Sequence, residues 1–174
     1  MGYDFEKDAE VYRSDMRSRE SGFSLIELLI VVAIILIIAA IAIPNLIRSK
    51  MAANEASAVG SLRTINTASV DYVTTFGGYP SLLSNLGGEG TSSFPTSTAA
   101  ELIDNVLQTG EKSGYSFSFS AGSPDAAGNI DIYSVSASPI KPGSTGLRYF
   151  YTDQTGVIRA STSGAATSSS TPLS

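Results

Sequence analysis

The feature that most constrains this chain is an uninterrupted apolar run near its N-terminus. All 16 residues from Leu28 to Ile43 are apolar, and the run reaches 21 residues when Phe23 to Glu27 are included. As a helix, such a segment extends about 31 Å, close to the hydrocarbon thickness of a bilayer. A helix that is apolar on every face needs burial all round, and the rest of the chain is too polar to surround it. The run therefore predicts a membrane-spanning helix rather than the core of a soluble protein.

A cleaved secretory signal peptide is the alternative interpretation of this run. Ala40-Ile41-Ala42 matches the small-x-small pattern that precedes such a cleavage point. Two observations disfavour it. Residues 1–22 contain six acidic and four basic residues, and Glu27 lies in the apolar stretch, where an ionised carboxylate near the bilayer centre costs about 2–3 kcal/mol. The signal-peptide interpretation predicts a protein released after Ala42, without the helix.

Helical spacing resumes after Pro44, which we expect to kink or end the apolar run. Apolar and small residues recur there at steps of three and four, on a face formed by Leu62, Ile65, Ser69, Tyr72, Val73 and Phe76. We predict a helix from about Phe23 to Phe76, ended by Gly77-Gly78. Its first half suits lipid or neighbouring copies, and its amphipathic second half suits packing against a globular head.

The head is expected to begin with a Gly/Pro/Ser-rich loop from Gly77 to Thr96, irregular or with one short helix. Thr98 followed by Glu101 matches a capping box and predicts a second helix that ends at Gly110. Its expected buried face comprises Leu102, Ile103, Val106 and Leu107.

Alternating apolar and polar residues predict antiparallel strands over 115–120, 130–136 and 147–153, the last closed by Val157 to Ala160. We interpret five aromatic residues as core or cross-strand pairs: Tyr115, Phe117, Phe119, Tyr133 and Phe150, with Tyr149 and Tyr151 on the opposite face. The Ser/Thr-rich residues 161–174 have too little apolar content to fold alone, so we expect a disordered end. In an exported protein its hydroxyl groups would be available for attached sugars, but disorder is the default expectation. The predicted fold class is α+β: a long N-terminal α-helix packed on a small antiparallel β-sheet head of about four strands.

The composition excludes several kinds of chemistry. Cysteine and histidine are both absent, which removes disulfides, thiol catalysis, imidazole ligands and serine–histidine nucleophile pairs. The net charge of −5 gives no basic patch for nucleic acid. Asp125, Asn129 and Asp131 offer oxygen ligands for Ca²⁺, although turn formation explains them better. We expect no enzyme activity, no cofactor and no metal.

The segment Gly22-Phe-Ser-Leu-Ile-Glu27, together with the apolar run and Ile41-Ala-Ile-Pro44, resembles the N-terminal signature of type IV pilins and their secretion pseudopilin relatives. The resemblance implies that a prepilin peptidase in the inner membrane cuts between Gly22 and Phe23 and methylates the new Phe23 amine. It also implies that Glu27 pairs with the α-amine of a neighbouring subunit's Phe23 during assembly. Pro44 would loosen the helix when subunits pack.

This resemblance implies a structural function and five segments. They are a leader, 1–22; a membrane and filament-core helix, 23–43; an amphipathic helix, 44–76; a head, 77–160; and a tail, 161–174. A single-pass precursor in the inner membrane would be polymerised by an assembly ATPase and platform into a helical filament of identical or related subunits. That filament would be a surface pilus for adhesion, twitching or DNA uptake.

Two alternatives stay open. One is a periplasmic pseudopilus of type II secretion, because many pilins close their C-terminal region with a disulfide and this chain has no cysteine. The other, from a different class, is a single-span membrane-anchored binding domain that keeps residues 1–22 attached.

Overall fold

The computed structural model describes residues 22–88 and 94–173 of the chain. Two units are present, Met1–Pro44 and Asn45–Ser174. The predicted leader lies outside the described residues except for Gly22, as do residues 89–93 of the predicted loop and Ser174.

The long N-terminal helix, α1, covers Leu25–Phe76, which confirms the predicted helix to within two residues at its start. The helix ends just before Gly77, as predicted. Gly77 has φ +87°, a left-handed conformation that favours glycine, and its N–H donates to the Val73 carbonyl oxygen at 2.9 Å. Pro44 lies within α1 and does not end it, while a kink there stays a prediction.

The sheet has six antiparallel strands in the order of the sequence. They are β1 (Glu111–Lys112), β2 (Tyr115–Ala121), β3 (Tyr133–Pro139), β4 (Tyr149–Asp153), β5 (Arg159–Ser161) and β6 (Thr171–Pro172). A 3₁₀ helix, Leu83–Leu86, and a short helix, α2, Asn105–Gln108, precede the sheet. The predicted α+β class is therefore confirmed, with two more strands than expected.

The core of the second unit lies between one face of α1 and one face of the sheet. On the predicted helix face, Leu62, Ile65, Ser69 and Tyr72 are buried, and Val73 and Phe76 are half-buried. The predicted aromatic residues meet this face from the strands: Tyr115, Phe117, Tyr133 and Phe150 are buried, and Phe119 stacks on Tyr133 with ring centroids 5.4 Å apart. Burial of these apolar surfaces is the main force that holds the helix on the sheet.

The predicted capping box at Thr98 is wrong. The helix that forms is the four-residue α2, and its N-cap is Asp104, whose carboxylate accepts from the backbone N–H groups of Val106 and Leu107. Glu101 has φ +57°, which no helix tolerates. The N–H groups of residues 100–103 donate to carbonyl oxygens of Asn85, Leu86 and Gly87. Tertiary hydrogen bonds therefore replace the predicted helical ones.

Strand boundaries also differ from the predictions. The alternating pattern changes phase after Ile132, which is exposed, so β3 begins at Tyr133 and continues to Pro139. Strand β4 begins at Tyr149 because the N–H groups of Leu147 and Arg148 donate to Glu55 instead of to a neighbouring strand. The strands β1 and β6 have two residues each, too few for alternation to be recognised.

The prediction of a disordered C-terminal end is wrong for residues 161–173. Strand β6 pairs with β5, Ala166 is buried, and Leu173 packs against the core. The Arg159 guanidinium donates to the Ser170 carbonyl oxygen at 3.1 Å. This segment has little apolar surface of its own, but the edge of an existing sheet supplies backbone partners.

Candidate assembly and processing site

Gly22 and Phe23 lie just before the first turn of α1. A side chain added at Gly22 would meet no atom of residues 22–88 and 94–173 within 4 Å, and the Phe23 side chain is 79% exposed. Ser24 closes the first turn by accepting from the Leu28 N–H at 3.2 Å. None of the described residues therefore blocks the peptide bond between Gly22 and Phe23.

Glu27 is an exposed acidic side chain in the first turn of α1. A carboxylate there interacts favourably with the partial positive charge of the helix N-terminus. Neither of the two salt bridges found within residues 22–88 and 94–173 involves it. Its side chain is thus available to a charge from outside the described residues.

The apolar run that follows Glu27 is exposed all round. From Phe23 to Ile43 every residue is exposed apart from Ala39, which is half-buried. The helix that contains it is long and apolar enough to cross a membrane by length and composition. Exposed apolar surface on this scale requires lipid or other chains around it.

A buried carboxylate, which the sequence analysis did not identify, joins α1 to the loop between β3 and β4. Glu55 Oε1 accepts from the N–H of Leu147 at 2.8 Å and of Arg148 at 3.2 Å, and Oε2 accepts from Arg148 Nε at 2.7 Å. The neighbouring Asn54 donates its amide hydrogen to the Thr145 carbonyl oxygen at 2.8 Å. We call Glu55, Leu147 and Arg148 the carboxylate clamp.

Opposing effects act on the Glu55 carboxyl group. Desolvation by burial raises its pKa, but the hydrogen bonds from Leu147 and Arg148 and the charge of Arg148 together hold the pKa below its ordinary value. The group is therefore ionised at neutral pH. Arg148 also lies over the Phe150 ring, 5.4 Å from its centroid, which helps to orient the guanidinium group.

One sequence signal would have found Glu55. Counting back from the predicted buried face in steps of three and four leads from Leu62 through Ala58 to Glu55. An acidic residue at such a position predicts a buried partner. Its partners lie 92 and 93 positions later, a separation that periodicity cannot bridge.

A second polar group joins α1 to the sheet near its middle. Tyr133 Oη donates to Asn66 Oδ1 at 3.0 Å, and Asn66 Nδ2 donates to Thr152 Oγ1 at 2.9 Å. Burial raises the pKa of Tyr133 to about 12, so its hydroxyl is a donor at neutral pH. We call these three residues the asparagine network.

The acidic and amide residues considered for Ca²⁺ form a turn. Asp125 Oδ1 accepts from the N–H groups of Ala127 and Asn129, both at 2.8 Å. This confirms the turn interpretation of Asp125. Within residues 22–88 and 94–173, no three metal-binding side chains come together.

Comparison with known proteins adds two matches. Residues 17–43 match the family model of the prokaryotic N-terminal methylation motif. The chain is also 39% identical over 74 residues to the type IV major pilin protein PilA of Myxococcus xanthus (strain DK1622). That match covers 42% of this chain and 34% of the relative, so the similarity spans about a third of the relative's length. No solved structure matches the chain.

The motif contains Gly22, Phe23, Glu27 and the apolar run that the structure leaves exposed. Beyond the motif, α1 continues to Phe76, and the antiparallel sheet completes the α+β arrangement predicted from the residue patterns. This chain therefore carries the prokaryotic N-terminal methylation motif and is similar, over 74 residues, to a type IV major pilin.

Proposed function

We propose that this chain is a pilin, the structural subunit of a type IV pilus-like filament assembled from the inner membrane. The observation that supports this most strongly is the exposed apolar run from Phe23 to Ile43, which contains Glu27 as its sole charged residue. Lipid solvates this surface before assembly, and the helices of other copies solvate it afterwards. Because both surroundings are apolar, the transfer changes little apolar exposure.

Processing by a prepilin peptidase is proposed between Gly22 and Phe23, followed by methylation of the Phe23 amine. The open backbone around Gly22 and the exposure of Phe23 support this assignment. Cleavage removes the leader, 1–22, and leaves a positively charged α-amine at the start of an apolar helix.

Glu27 is the proposed partner of that amine. A carboxylate in an apolar helix is costly near the centre of a bilayer, by about 2–3 kcal/mol, unless a counter-charge compensates it. In a staggered stack of helices, the Phe23 amine of one subunit lies against Glu27 of the next. An uncleaved subunit has no amine at this position, so the pairing also selects processed subunits.

The remaining segments have proposed roles in this pathway. Residues 23–43 form the membrane and filament-core helix, and residues 44–76 attach it to the head, 77–160, and its tail, 161–174. Pro44 loosens the helix to allow packing. An assembly platform and its ATPase move the subunits from the inner membrane into the filament.

Between the two kinds of filament, we propose a surface pilus over a type II secretion pseudopilus. The Myxococcus xanthus relative is a type IV major pilin, and this similarity supports the pilus. The absence of cysteine favours the pseudopilus, because many pilins close their C-terminal region with a disulfide. Shearing intact cells separates the two, since only a surface filament is released into the medium.

The test of the proposed function is the N-terminus of the protein recovered from cells, measured by intact mass and terminal-peptide mass spectrometry. Phe23, methylated at its amine, is the expected N-terminus. An N-terminus at Ile43 would identify an ordinary secreted protein, and Met1 would leave a membrane-anchored binding domain. Either of those results would overturn the proposal.

A further inference from the structure

Glu55 marks the place where α1 becomes buried by the head. Residues 45–50 of the helix are exposed, Met51 and Asn54 are half-buried, and Glu55 is the first buried residue of α1 in the described chain, at 8% exposure. A carboxylate thus occupies a position that an apolar side chain would fill at less desolvation cost. The packing of the core alone does not explain why a carboxylate occupies this position.

The carboxylate fixes the loop of residues 140–148, which we call the clamp loop. Its N-terminal end is held by the Ile140 N–H, which donates to the Gly114 carbonyl oxygen at 3.0 Å. Its C-terminal end is held by Glu55, and the Arg148 carbonyl oxygen accepts from Tyr115 Oη at 2.8 Å.

The clamp loop is also closed on itself. Gly143 N–H donates to the Gly146 carbonyl oxygen, and Thr145 N–H donates to the Lys141 carbonyl oxygen, both at 2.9 Å. Any side chain at Gly146 would collide with the Tyr115 hydroxyl group. The backbone of the loop is therefore held by hydrogen bonds within the loop as well as at its two ends.

This hydrogen-bonded loop exposes apolar side chains at both ends. Ile140 is 46% exposed and Leu147 is 55% exposed, although the backbone of each is anchored by a hydrogen bond into the head. A fixed backbone that presents aliphatic side chains lowers the entropy cost of binding a partner.

We infer that Glu55 is a positioning residue for filament assembly, which holds the clamp loop against α1 so that Ile140 and Leu147 meet a neighbouring copy of this chain. The inference rests on the proposed function, because a second copy is the occupant only if the subunit polymerises. The place of the loop supports that occupant. It lies where the exposed stretch of α1 ends and the buried stretch begins, and other copies pack along exposed helix surface.

The test uses the full-length protein in cells, comparing filaments sheared from the surface with the amount of processed subunit. We expect Glu55→Ala to lower filament yield several-fold while cleavage continues. Filament yield from Glu55→Gln should lie between those of Glu55→Ala and the wild type, since the amide oxygen of Gln still accepts from the Leu147 and Arg148 N–H groups. Hydrogen exchange at residues 140–148 should rise in the same order.

A matched control distinguishes a specific effect of Glu55 on assembly from a general loss of stability. Asn66→Ala breaks the asparagine network, which also joins α1 to the sheet but does not touch the clamp loop. Even if Asn66→Ala lowers Tm as much as Glu55→Ala does, its filament yield should equal that of the wild type. Equal assembly defects in both variants would overturn the inference.

The role of the exposed Leu147 side chain has its own test. Leu147→Ala keeps the backbone bond to Glu55 and should lower filament yield without lowering Tm, whereas Val106→Ala, at a position 57% exposed on α2, should change neither. Normal filaments from both Glu55→Ala and Leu147→Ala would overturn the inference and leave the proposed function intact. A wild-type protein that is uncleaved and forms no filament would overturn both.

Discussion

Tyr133 in β3 and Asn66 in α1 are joined by a hydrogen bond of 3.0 Å across 67 positions of sequence. Asn66 continues the connection to Thr152, whose side chain is fully buried. Tyr133→Phe removes one donor and should lower the free energy of unfolding by about 1 kcal/mol. Asn66→Ala leaves the buried Thr152 hydroxyl without this partner and should cost roughly 1–3 kcal/mol. Thermal unfolding followed by circular dichroism measures both.

The two substitutions should also be non-additive, because they remove the same bond. A double-mutant cycle that gives simple additivity would contradict a shared network. Tyr149→Phe is a matched control, since Tyr149 lies on the opposite face of the sheet from the core and should change the free energy of unfolding little.

Acid should weaken the carboxylate clamp. The pKa of Glu55 is lowered in the folded protein below its ordinary value of 4.5, so ionised Glu55 stabilises the fold above that pH. This contribution is lost as pH falls below 4.5 through the folded-state pKa. Unfolding curves from pH 7 downward should therefore show a loss of stability that is reduced in Glu55→Gln.

That experiment must distinguish the effect of Glu55 from the effect of a second carboxyl group whose pKa is also lowered, that of Asp104. The hydrogen bond from Lys112 lowers the pKa of Asp104, as do the N–H groups of Leu107 and Val106. Asp104→Asn supplies the control, because its acid profile should keep the Glu55 component. An unchanged acid profile in Glu55→Gln would show that the clamp does not titrate with folding.

Processing should depend on the size of the residue before the cut. Gly22→Val should block cleavage, because a branched side chain hinders a protease that needs an accessible backbone. The fold of the described residues should be unaffected, since a side chain at Gly22 meets none of their atoms within 4 Å. Mass spectrometry of the recovered N-terminus measures this effect. Gly22→Ala is the graded control, and normal cleavage of the valine variant would refute the peptidase assignment.

Assembly should depend on the charge of Glu27. Glu27→Ala should be cleaved but excluded from filaments, because the α-amine of Phe23 then lacks its counter-charge. Sheared filament protein is compared with processed protein in the membrane. Glu27→Asp keeps the charge on a shorter side chain and should assemble better than Glu27→Ala. Normal filament yield from Glu27→Ala as the only copy would disprove the pairing.

Sequence reasoning succeeded where one period continued over many residues. The steps of three and four from Leu62 to Phe76 identified the buried face of α1, and alternation located the centres of β2 and β4 but placed β3 three residues too early. These patterns follow directly from burial on one side of an element. The N-terminal motif was equally readable, because its residues are contiguous.

Prediction failed where distant contacts decide the local structure. The helix predicted from the capping box at Thr98 does not form there, because the N–H groups of residues 100–103 donate to carbonyl oxygens of residues 85–87 instead. Strand β4 starts late because Glu55, 92 positions away, takes the Leu147 N–H. The C-terminal residues pair with β5 once that strand exists. None of these partners lies within the range of a local pattern.

The order of the strands has a consequence for how the head folds. Every strand pairs with its neighbour in sequence, so the sheet can grow one hairpin at a time. The bond from Glu55 to Leu147 must instead close a separation of 92 positions, which favours its formation late. Breaking it should speed unfolding in denaturant more than it slows refolding, as stopped-flow measurements on Glu55→Gln would show. The clamp would then set how long the finished head survives rather than how quickly it forms.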